Sequence, residues 1–209
     1  MTDERWISVT GSGEASVAPD LAIVSFAVTG NGKELAATRD DVNLRSSAVL
    51  ATLRELGIAD GDLNAPDVGI QPEYDYRKGQ RLVGYRVTRS MTAKVRDLDR
   101  LGEVLDGVVS AGANEMHGAQ MSAADPSAAE HAALASAVAA ARAKAEVLAT
   151  AAGSTIGAVA RIEEEADVGG PPMPMMRMMA MSESADVQTE VAAGDLTVVR
   201  RVRAWFTIG

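Results

Sequence analysis

The chain has 209 residues, of which 29 are acidic and 20 basic, giving a formal charge of −9. That length can bury a core in one generous domain or two small ones, and the lack of any cysteine excludes disulfides, thiolate nucleophiles, cysteine zinc sites and iron–sulfur clusters. The acid excess repels polyanions, so nucleic acid is not an expected partner.

The opening residues, Met1-Thr2-Asp3-Glu4-Arg5-Trp6-Ile7, carry charge where a signal peptide needs an apolar run, and no later stretch reads as an integral membrane segment. A soluble, cytoplasmic protein is expected from the sequence as written, with the periplasm or cell envelope as the alternative if a leader has been removed. Aromatic residues make up only 3% of the chain, while alanine and valine supply much of its 47% hydrophobic content, which favours close helix packing over large aromatic anchors.

Along the chain, Trp6 to Thr10 and Glu14 to Ala18 read as two short strand pieces around a kink at Gly11-Ser12-Gly13. Alternation of Ala22, Val24, Phe26 and Val28 predicts a strand over 21–29, closed by a turn at Gly30-Asn31-Gly32. Leu35, Val42, Val49, Leu53 and Leu56 share one helical face over 34–56, and Gly57 is the expected stop. A strand over 67–76, a turn through Lys78-Gly79 and a long strand over 81–95 follow. On the long strand Val83, Tyr85, Val87, Met91, Ala93 and Val95 share a face that Arg89 interrupts. Asp97 caps a predicted helix over 98–111 with the stripe Leu98, Leu101, Leu105 and Val108, ending at Gly112; a short strand over 115–121 comes next.

The strongest pattern is a helix over 126–152, with Asp125 as N-cap, Pro126 at the first helical position and Gly153 just past its end. Leu134, Val138, Ala141, Ala145 and Leu148 form its expected seam, and its alanines admit another backbone at close range. A strand over 156–164 and a closing strand over 196–208 complete the pattern. The closing strand shows Leu196, Val198, Val202, Ala204, Phe206 and Ile208 on one face, with Arg200 the exception. The order β-β-α-β-β-α-β-α-β-loop-β predicts an α+β fold: mixed or antiparallel sheets packed against helices in a two-layer arrangement, including one long alanine-rich helix.

Between these last strands lies a proline- and methionine-rich loop over 166–195, holding Met173, Met175, Met176, Met178, Met179 and Met181. Its prolines remove backbone donors and fix φ, which works against a regular helix or central strand. Exposed thioethers can cover a partner's apolar surface, bind a soft metal or absorb oxidant.

Catalytic signals are sparse. His117 and His131 are the only histidines, and each reads as an ordinary solvent-facing or hydrogen-bonded residue. The two Gly-x-Gly segments lack the remaining glycines and the lysine of phosphate or dinucleotide sites. Asp60 with Asp62, and Glu163 to Glu165, read as solvated charge runs. Arg200, Arg201 and Arg203 beside Trp205, and Tyr74, Tyr76, Arg77 and Lys78 near Tyr85 and Arg86, read as interchain salt bridges or a polar sheet face in an acidic protein, not as a nucleic-acid surface.

Several short motifs follow one another in order. They are Ile7-Ser8-Val9-Thr10-Gly11-Ser12-Gly13-Glu14, Pro19-Asp20, Gln71-Pro72-Glu73-Tyr74-Asp75-Tyr76, Gly84-Tyr85, Ala111-Gly112-Ala113-Asn114, Ala141-Arg142-Ala143-Lys144-Ala145-Glu146, Ala151-Ala152-Gly153 and Gly194-Asp195-Leu196-Thr197-Val198. Each alone could be a turn or cap. In this order they resemble, over essentially the whole chain, the SIMPL-domain family, which includes the bacterial periplasmic immunogenic proteins. The resemblance implies a single domain over residues 1–209 with no established catalytic site and no assigned cofactor. It also implies export to the cell envelope, an association with stress tolerance, and large ring-like or channel-like homo-oligomers. Two departures are the missing leader and Met121, which stands where an aromatic residue is expected.

The leading functional expectation is therefore a non-enzymatic, self-assembling protein with a structural or stress-protective role. Arg89 and Arg200 occupy otherwise apolar positions on strands read as edges, where a neighbouring subunit's carboxylate would answer the charge. Arg201, Arg203, Trp205, Met175, Met176, Met178 and Met179 complete the expected oligomer interface. The alternative is a binding protein that uses Met173, Met175, Met176, Met178, Met179 and Met181 for Cu(I) or as an oxidant sink.

Overall fold

A computed structural model describes the protein over residues 5–66, 68–77, 79–165, 173–174 and 194–209. In chain order the elements are β1 (Trp6–Val17), β2 (Leu21–Gly32), α1 (Leu35–Glu55), β3 (Leu63–Asn64), β4 (Val68–Asp75), β5 (Arg81–Val95), α2 (Leu101–Ser110), β6 (Glu115–Ser122), α3 (Ser127–Ala151), β7 (Ile156–Glu164), β8 (Met173–Pro174) and β9 (Leu196–Ile208). The fold is α+β, and every strand pairing is antiparallel. The described residues fall into two compact units, one built on β1, α3, β7 and β9, the other on residues 20–122.

In the first unit the sheet order is β1-β9-β7, with β8 also pairing β9. The closing strand is thus interior, against its expected place at an edge. Its buried face is Leu196, Val198, Val202, Ala204 and Phe206; Val202, Ala204 and Phe206 pack with Val9 and with Ala137, Ala141 and Ala145 of α3, and Val198 packs with Ala129 and Ala133. Burying Phe206 completely is worth about 1.5–3 kcal/mol before entropy is counted. The buried residues of α3 are Ala129, Ala133, Ala137, Ala141, Ala145 and Ala149. This corrects the expected seam: Ala141 and Ala145 stay in it, Leu134 and Val138 flank it half-buried, and Leu148 is exposed.

The reason lies on β1, which is one continuous strand and not two pieces around a kink. A Cβ placed on Gly11 would come 2.0 Å from the Ala137 carbonyl oxygen, and one on Gly13 would come 2.2 Å from that of Ala133. The two glycines share a strand face by their spacing of two. They are the seat on which the alanine stripe lies, and only hydrogen fits between the backbones.

In the second unit the order is β3-β5-β2-β6, with β4 also pairing β5. The strand carrying Arg89 is therefore interior as well. Gly30 and Gly32 continue β2 instead of turning it, and glycine is needed there because a Cβ would meet Val42 at Gly30 and the Thr38 hydroxyl at Gly32, both on α1. Thr38, Val42, Ser46, Val49 and Leu53 form the buried face of α1. On α2, Val104 takes the buried place expected for Leu105, and the preceding residues Leu98–Arg100 form a 3-10 turn without a side-chain cap from Asp97.

The helices α1, α2 and α3 end as the sequence predicts, at Gly57, Gly112 and Gly153 with φ of 88°, 120° and 70°. In each, the glycine N–H and the next N–H fold back onto helix carbonyls, as when Gly57 donates to Arg54 and Ile58 to Leu53.

Candidate interaction surfaces

The face of the first sheet turned away from α3 follows from alternation. With Val198, Val202 and Phe206 turned toward α3, Arg201, Arg203 and Trp205 point to the other side. There the Arg203 guanidinium pairs with Glu165 at 3.2 Å, and the Arg161 guanidinium carbon lies 5.1 Å from the Trp205 ring centroid. Arg200 points to the α3 side. It donates to Glu130 in the first turn of α3 and lies 3.9 Å from Glu164, so carboxylates of its own chain answer the charge expected to seek a neighbouring subunit.

Beside this sheet, an open cavity of about 600 Å³ is lined by Val9, Thr10, Ala143, Lys144, Val147 and Leu148. Lys144 Nζ donates to the Thr10 carbonyl oxygen at 2.9 Å, covering a backbone acceptor of β1, the end strand of the sheet among the described residues. Val147 and Leu148 are 69% and 50% exposed.

In the second unit, register places Arg89 on the face of β5 that α1 covers, between Val28 of β2 and Val68 of β4. Its Nε is buried and meets no acceptor among the described residues. A cleft of about 280 Å³ lies elsewhere in this unit, lined in part by Leu56, Asp62, Lys94, Arg96 and Arg100. Arg96 grips both Asp62 oxygens at 2.8 Å, and this hydrogen bonding holds the Asp62 carboxyl below its ordinary pKa. Arg100 Nη1 donates to the Leu56 carbonyl at 2.9 Å, capping the C-terminal end of α1.

Of the two histidines, His131 lies exposed on α3. His117 lies exposed on β6, at the bulge where the register slips from Ser25–Gly118 to Phe26–Met116. Among the described residues no group of three or more histidines and carboxylates is placed to hold a metal, and no helix is long and apolar enough to cross a membrane. Met173 and Pro174 pair through their backbone with Thr197 and Leu196. Met175, Met176, Met178, Met179 and Met181 lie outside the described residues. The cavity beside β1 and the caps made by Lys144 and Arg100 went unforeseen, because each joins residues far apart in sequence.

Two antiparallel sheets, one carrying α3 and the other α1, fit the class to which the ordered motifs pointed. The chain belongs to the SIMPL family, described as a protein of unknown function (DUF541), whose model matches residues 7–206. It is similar to the 26 kDa periplasmic immunogenic protein of Brucella melitensis biotype 1, 35% identical over 206 residues that cover 93% of this chain and 81% of the relative. The uncharacterized protein YggE of Edwardsiella ictaluri is 34% identical over 188 residues, covering 88% of this chain and 78% of its own. YggE of Escherichia coli K12 is 29% identical over 180 residues, covering 86% and 73%.

Proposed function

We propose that the protein is a non-enzymatic, self-assembling member of its family with a structural or stress-protective role, working as a ring-like or channel-like homo-oligomer in the periplasm. The observation that carries self-assembly is the apolar cavity beside β1. Val147 and Leu148 stand 69% and 50% exposed around it, on a helix whose other face is fully committed to the sheet. Single exposed apolar residues are ordinary, but adjacent ones lining one concavity mark a surface that another chain covers.

Arg201, Arg203 and Trp205 on the sheet face turned away from α3 are proposed as further contacts, together with Met175, Met176, Met178 and Met179. The ring, the channel and the stress role rest on the family resemblance. The periplasmic location rests on the name of the Brucella relative, and it replaces the cytoplasmic reading of the opening residues.

The test is the solution mass of the full chain by light scattering behind size exclusion, at low and moderate salt. A discrete multimer is expected, with less of it after deletion of residues 171–182. A monomer near 21.7 kDa across micromolar concentrations would overturn the proposal.

A further inference from the structure

A second surface, on the other unit, points to its own occupant. In β2 and β5 the residues facing α1 are buried: Val24, Phe26 and Val28 on one strand, Val87, Met91 and Ala93 on the other. The same face continues onto β4, where Val68 pairs with Arg89 and Ile70 with Val87, but there burial stops. Val68 is 40% exposed and Ile70 46%. At this boundary sits Arg89, half-buried, with its Nε shut off from solvent and unbonded among the described residues.

A buried donor without an acceptor carries an uncompensated desolvation cost, which a bound acceptor removes. Apolar side chains around a guanidinium that lacks its anion are what one half of an interface looks like. The strand edge is not what docks. Asn114 N–H donates to the Ala27 carbonyl, so alternate β2 residues face β6 and the others β5. Carried across β5, this alternation turns the backbone of Val68, Ile70, Pro72 and Tyr74 away from the sheet. Pro72 has no N–H to offer there, which blunts strand addition. The face is left.

We propose that the face formed by Val68, Ile70 and Arg89 docks a second copy of this chain, which presents a carboxylate to the Arg89 Nε. Charge complementarity selects that occupant, since a chain with 29 acidic and 20 basic residues brings carboxylates in excess to an Arg89 Nε that has no acceptor among the described residues. The inference rests on the self-assembly reading and deepens it. With this face and the cavity beside β1, each copy has two separate contacts, the minimum for growth past a dimer into a closed ring.

The test compares full-length wild type with I70D, R89M and, as a control at an exposed apolar residue of α2, V109D, all by light scattering across a concentration series. Far-UV circular dichroism and thermal melting establish that each is folded. I70D and R89M are expected to raise the concentration for half-assembly tenfold or more, and V109D to leave it unchanged. R89M keeps the apolar stem and removes the donor, so wild type and V109D, which keep Arg89, should weaken in assembly as pH falls through the carboxylate range more than R89M does. Folded I70D and R89M that assemble like wild type overturn this inference while self-assembly stands. A monomeric wild type overturns both.

Discussion

Asn114 shows how one side chain can stand in for a strand. Its Oδ1 accepts from the Thr29 N–H at 2.7 Å and its Nδ2 donates to the Thr29 carbonyl at 2.8 Å, the pair of bonds a neighbouring peptide would make. Arg45 Nη2 also donates to that carbonyl, at 3.2 Å, so the acceptor has a second partner and the donor has none besides Asn114 among the described residues. Thr29 is 7% exposed, so water does not replace the lost bond easily. Asn114→Ala should therefore destabilise by about 1–3 kcal/mol, and Asn114→Asp, which keeps the acceptor, by less; thermal melts of the two variants check the order. The motif Ala111-Gly112-Ala113-Asn114 suggested a helix exit, and the exit is there. Its final residue also holds β2 beyond the reach of β6.

At the level of elements, glycine on a strand meets alanine on a helix. The alanine stripe of α3 repeats every four residues and advances about 40° per step on a 3.6-residue helix, so the seam winds around the helix as it follows β1. Gly11→Ala should cost at least about 1–3 kcal/mol, because its Cβ would meet the Ala137 carbonyl, a backbone atom that moves only with the helix. Gly61→Ala has open space around its Cβ and should be nearly neutral. Equal melting temperatures for the two variants would show that the helix is not seated as described.

For the whole molecule, charge outweighs local appearance. Arg161, Arg201 and Arg203 beside Trp205 resemble a nucleic-acid surface, but Arg203 is paired with Glu165, Arg161 lies over the indole, and the chain as a whole is −9. Fluorescence anisotropy with a labelled duplex at about 0.15 M salt, near the physiological Debye length of about 8 Å, should detect no binding up to tens of micromolar protein. Saturable binding would mean that this face acts independently of the net charge.

Local physics settled much of this protein in the sequence. Period-two alternation marked the long strands, with β5 falling at residues 81–95 and β9 within 196–208 as read, and glycine at the helix ends fixed where α1, α2 and α3 stop. Those signals depend on backbone sterics and neighbours a few residues away, which any sequence displays. Tertiary structure decided whatever depends on a distant partner. Gly11 and Gly13 looked like a kink until α3 lay on them, Leu148 looked like core until the alanines took that place, and the final strand looked like an edge until β1 and β7 enclosed it. Arg89 and Arg200 looked alike in sequence, each a charge on an apolar strand face. Folding gave Arg200 the carboxylates of Glu130 and Glu164 and left Arg89 Nε without an acceptor among the described residues. Burial and pairing are properties of residues brought together across the chain, so no local pattern could tell the two apart.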